Sequence, residues 1–149
     1  MVRLISYIRS EVTMKTWHLM YLLVWLSLVQ IVIILFPVIG TTPSYDLHLI
    51  VGIGVISLSI YVFTMVRKTG CPDRIKRITR ATAILGIFQG LLGIPLYLSL
   101  RFTISLPLQN IILFAHLITG IAIISQSSSS ATAFDMWEQK EFAVRVEQP

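Results

Sequence analysis

Two long stretches of this 149-residue chain are almost free of charge. From Trp17 to Val66 the one formal charge is Asp46, and from Ala81 to Phe134 it is Arg101. Each stretch has room for two apolar runs of roughly 20 residues, the length that crosses a bilayer as a helix. Charged residues make up 13% of the chain, about half of what a soluble domain of this size carries. The sequence predicts an all-α integral membrane protein.

Four transmembrane helices are expected, about Trp17–Val38, Asp46–Val66, Thr79–Leu98 and Pro107–Ile124. Breaks fall at "GTTPSYD", at "RKTGCPDR" and before Pro107, and the last span fades into "SQSSSSATA". Residues 1–16 form a basic segment with Leu4, Ile5, Ile8 and Val12 on one face. That pattern suits a short helix on the membrane surface or a disordered basic leader. Its apolar runs are too short for a signal-peptide core. Residues 17–126 make the bundle, and 127–149 a tail of mixed charge. Arg3, Arg9 and Lys15 precede the first span, and Arg67, Lys68, Arg74, Lys76, Arg77 and Arg80 surround the middle loop. The other two loops carry only Arg101. By the positive-inside rule both termini and the middle loop face the cytoplasm of the cell membrane. The basic residues suit anionic headgroups and require no nucleic acid. Cys71, the single cysteine, lies in the basic loop and is expected only to fill a turn.

The chain spells one helix twice. "HLIVGIGVISLS" at 48–59 returns as "HLITGIAIISQS" at 116–127. Glutamine also stands mid-span in the preceding helix each time, at Gln30 and Gln89, though the glutamine-to-histidine distances differ, 18 and 27 residues. Such self-similarity implies two tandem helical hairpins. Spans two and four then run parallel and can turn His48 toward His116. An imidazole inside a span marks a ligand, a proton path or an interhelical hydrogen bond. Two opposed imidazoles can hold a haem iron from both faces. Gly52 and Gly120, one turn below, leave room for the edge of a flat ring. They equally permit close helix packing. His18, beside Trp17, reads as an interfacial anchor. His48 lies near the start of its apolar run and His116 about ten residues into its own, a depth mismatch that closes if span two begins at Thr42 or Pro43.

Zinc would want four Cys, His or carboxylate ligands, and only Asp46 lies near His48. No Ser–His–Asp or Cys–His set and no phosphate-binding glycine loop is present.

With "QGLLG" at 89–93 followed by "HLITG" at 116–120, residues 20–126 resemble one half of a haem A synthase. The resemblance implies a four-helix unit with a bis-histidine haem site and oxidation of the haem O methyl group on the way to haem A. In that family a glutamate stands three positions before the first histidine and an arginine follows it. Here those places hold Tyr45 and Leu49, and the cysteine pair of many bacterial members has no counterpart. The resemblance implies haem ligation by His48 and His116, with Gly52 and Gly120 beside the ring. Asp46 or Tyr45 would assist proton transfer, and Arg101 would meet a propionate. A half-length unit is expected to pair with a second copy, through Gly86, Gly90 and Gly93, or with terminal-oxidase components. Two other functions fit the same residues. One is a b-type cytochrome subunit passing electrons in a quinol or oxidase complex. The other is a cofactor-free assembly subunit in which the glutamines and histidines serve as interhelical glue.

Overall fold

A computed structural model describes residues 2–35, 42–105 and 107–147, with side chains described over 16–34, 44–105 and 107–144. Four helices follow one another: α1 Val2–Leu35, α2 Thr42–Arg67, α3 Asp73–Phe102 and α4 Gln109–Glu147. Each contains a segment long and apolar enough to cross a membrane, and no strand occurs among the described residues. The end of span one at Pro37 and Val38, and most of the loop after it, lie outside the described residues.

Helices α1 and α2, α2 and α3, α3 and α4, and α1 and α4 pack side by side, which closes a four-membered ring. Helices α2 and α4 therefore stand on a diagonal, parallel to each other. The duplicated sequence explains how they fill the centre. Steps of four and three residues lead from His48 through Gly52, Val55, Ser59 and Val62 to Val66. The same steps lead from His116 through Gly120, Ile123, Ser127 and Ser130 to Phe134. Every member beyond the two glycines is buried. This is the spacing of a helix seam facing a bundle axis. The outward faces carry exposed Trp25, Ile53, Leu91, Phe114 and Leu117, suited to lipid.

Serine and threonine can occupy such a core because the helix itself accepts their protons. Ser27 donates to Leu23 O at 2.7 Å, Thr82 to Ile78 O at 3.0 Å and Ser99 to Leu96 O at 2.8 Å. No unpaired donor is left at these three positions, whereas the buried Ser127 Oγ has no partner, and the small side chains let backbones approach. On α3, a Cβ at Gly86 would meet Ser59 Oγ at 3.0 Å, and one at Gly90 would meet Ile56 Cδ1 at 2.9 Å. Gly93 faces His116 in the same way. The glycines expected to line a contact between copies instead seat α3 against α2 and α4 inside one chain.

Three expected boundaries change. Helix α1 runs unbroken through residues 2–16, so the basic segment is no separate element. Helix α2 begins at Thr42, and each histidine lies about two turns into its helix, which removes the depth mismatch. Helix α4 does not fade after Ile124 but continues through the serine run to Glu147. Ala131 and Phe134, placed in the tail by sequence, are fully buried with Met20, Val62, Val66, Cys71 and Ile75. That cluster closes the bundle at the end where the α2–α3 turn lies.

Cys71 is thus a core residue, 2% exposed. Burial pushes its thiol above the ordinary range, more than the Thr69 side chain and the Lys76 charge pull it down. A raised thiol has less thiolate near neutral pH, and thiolate is the form that alkylates. In detergent-solubilised protein, maleimide labelling of Cys71 should be at least about tenfold slower than in unfolded chain at pH 7. Phe134→Ala should cost about 3 kcal/mol in thermal unfolding and bring labelling near the unfolded rate. Equal labelling in all three samples would contradict this core.

Candidate haem site between two histidines

At the other end of the bundle the two histidines meet. The rings of His48 and His116 lie 6.2 Å apart, centroid to centroid, inclined at 61°. Each is held by the glutamine of its own hairpin, in different ways. Gln30 Nε2 donates to the His48 backbone carbonyl at 3.0 Å, and His48 Nδ1 donates to the Gln30 backbone carbonyl at 3.2 Å. A carbonyl only accepts, so Nδ1 carries the proton and Nε2 keeps its lone pair. In the second hairpin Gln89 Nε2 reaches the ring itself, 3.3 Å from His116 Nε2. Thr119 Oγ1 lies against Gln89 Oε1, and its single proton is shared among that oxygen and the Ala115 and His116 carbonyls.

Glycine makes both arrangements possible. A Cβ at Gly52 would come within 2.9 Å of Gln30 Nε2, and one at Gly120 within 3.2 Å of Gln89 Nε2. Each glutamine lies in a notch one turn below its histidine. A Cβ at Gly93 would come within 3.0 Å of His116 Cε1, so α3 passes close to that ring. Two polar atoms of the site are buried without a partner: Gln30 Oε1 and His116 Nδ1.

The remaining expected residues lie apart. The Asp46 carboxylate accepts from Tyr97 Oη at 2.7 Å, which ties α2 to α3. Arg101, exposed and one turn further along α3, acts electrostatically on the same phenol. Tyr97 and Thr119 are new to the site. Nothing in the sequence joins Tyr97 to Asp46, whereas Thr119 stands within the repeated motif at the place of Val51. His18 is exposed and packs edge-on against Trp17 at 4.7 Å. Among the described residues no three His, Cys, Asp or Glu side chains form a group that could hold a bare metal ion.

The centroid separation is that of two imidazoles sharing one ion, while His116 Nε2 faces the Gln89 amide. Metal–imidazole bonds are about 2 Å, so two rings opposed across one ion have centroids roughly 6 Å apart. The glycine notches are occupied by the Gln30 and Gln89 side chains and by the His116 ring. A macrocycle can enter only if the glutamines leave those notches. No protein family, characterised protein or solved structure matches this chain.

The two glutamines should be separable energetically. A double-mutant cycle of Gln89→Leu with His116→Leu, read by unfolding in detergent, should give a coupling of about 1 kcal/mol. Gln30→Leu with His48→Leu should couple by less than about half of that, because each contact there ends on backbone. Equal coupling in the two hairpins would contradict the geometry.

Proposed function

We propose that this chain is a multi-pass cell-membrane protein that binds one b- or o-type haem between His48 and His116. The observation that carries the reading is the pair of imidazoles, on diagonal parallel helices, at the separation that one iron requires. The basic α2–α3 turn and N-terminal segment support placing both termini in the cytoplasm, with the histidines in the outer half. The third-helix motif and hairpin order support a haem A synthase-like activity, oxidation of the haem O methyl group for a terminal oxidase. In that setting a second copy or an oxidase component would complete the assembly. The haem would supply the redox chemistry, and the chain would bind it, orient it and keep water from it.

A second reading, a b-type cytochrome subunit, draws on one observation. The place of the family glutamate holds Tyr45, and the nearby Asp46 carboxylate is committed to Tyr97. Among the described residues no other carboxylate is recorded in contact with the histidine pair. The hydrogen bonds from Gln30 and Gln89 likewise favour a cofactor-free bundle if no haem binds.

Oxidised-minus-reduced spectra of the purified protein test these readings. The expected result is a haem spectrum in the wild type that is absent from the His48→Ala/His116→Ala double variant. Extraction of a formyl or hydroxymethyl porphyrin would favour the synthase-like activity, and unmodified haem b the cytochrome. A wild type that is colourless and takes up no added haemin would leave the cofactor-free bundle.

A further inference from the structure

The two halves of the histidine site match in sequence but differ in hydrogen bonding. His48 has its proton fixed on Nδ1 by the Gln30 carbonyl, so Nε2 is ready to ligate. A ring whose second nitrogen donates to a backbone carbonyl is the usual form of a metal-bound histidine. His116 is held at Nε2 by Gln89, and Thr119 Oγ1 lies against that amide. With the amide turned end for end, the same ring nitrogen would still be engaged. His116 Nδ1 makes no hydrogen bond of ordinary length and angle, although the Gln89 backbone bears on this ring as the Gln30 backbone does on His48. The His116 ring lies against Gly93 and the Gln89 amide against Gly120, so close that a Cβ at either position would crowd them.

We propose that His48 is the permanent iron ligand and His116 an exchangeable one, retained or released through the Gln89–Thr119 latch. This rests on the haem reading above and assigns unequal roles to its two ligands. The His116 side is then where a small neutral ligand gains access to the haem, and Gln89 is the positioning residue that sets how readily it does so. The duplicated helix keeps the two rings opposed. The differences lie in where each glutamine bonds and in the exchange of Val51 for Thr119.

The test uses full-length protein in detergent, loaded with haemin, with carbon monoxide as the probe after reduction by dithionite. His116→Ala should retain most of the haem in a high-spin form, whereas His48→Ala should lose about nine-tenths of it. Imidazole added to His48→Ala should restore the spectrum, which shows the fold is intact. The reduced wild type should bind carbon monoxide. Gln89→Ala and Thr119→Val should weaken that binding by about tenfold, the worth of one hydrogen bond, because a freed His116 competes better for the iron. Equal haem loss in the two histidine variants, or carbon monoxide affinity unmoved by Gln89→Ala, would overturn this proposal while leaving the haem site standing. A wild type that binds no haem would overturn both.

Discussion

An imidazole inside a membrane bundle must be held by something, because hydrocarbon offers it no water. Here each histidine is held by a glutamine from the neighbouring helix, and each glutamine has its place because a glycine leaves a notch one turn away. The seam of small and branched side chains below each histidine, alternating in steps of four and three, then sets α2 and α4 on a diagonal. Facing rings at 6.2 Å follow from that placement. Substituting a large residue at Gly52 or Gly120 would disturb the seam, the glutamine and the ring together.

Much of this fold is readable in the sequence. Four long apolar helices and their pairing as tandem hairpins come from charge-free stretches and one repeated motif. What escapes is whatever depends on partners far away in the chain. The serine run after Ile124 looks like a linker, since Ser is a weak helix former in water. With Ser127 and Ser130 buried, and Ala131 and Phe134 packed with Met20, Val62 and Cys71, the helix continues to Glu147. The glycines of α3 have the spacing of a contact between chains, yet α2 and His116 use them. Gln30 and Gln89 stand out as mid-span polar residues, but their two modes of bonding depend on how each hairpin folds back. The Asp46–Tyr97 hydrogen bond joins residues 51 positions apart and has no local signal.

The site shows duplication and divergence together. Ser59 and Ser127 close the two copies of the motif at equal depth, both buried, and Val55 and Ile123 match between them. The copies differ at the rings in Thr119, which stands at the place of Val51, and away from them in Asp46, which bonds Tyr97 and whose place in the second copy is taken by Phe114. A symmetric frame with unlike sides suits a cofactor whose two faces do different work.

The central claim is that a single chain supplies both faces of one haem site. Titrating purified protein with haemin, and reading the endpoint as haem bound per chain by the pyridine haemochrome spectrum, tests it most directly. One haem per chain is the result expected from the proposed haem site. No saturable uptake, or one haem for every two chains, would contradict it.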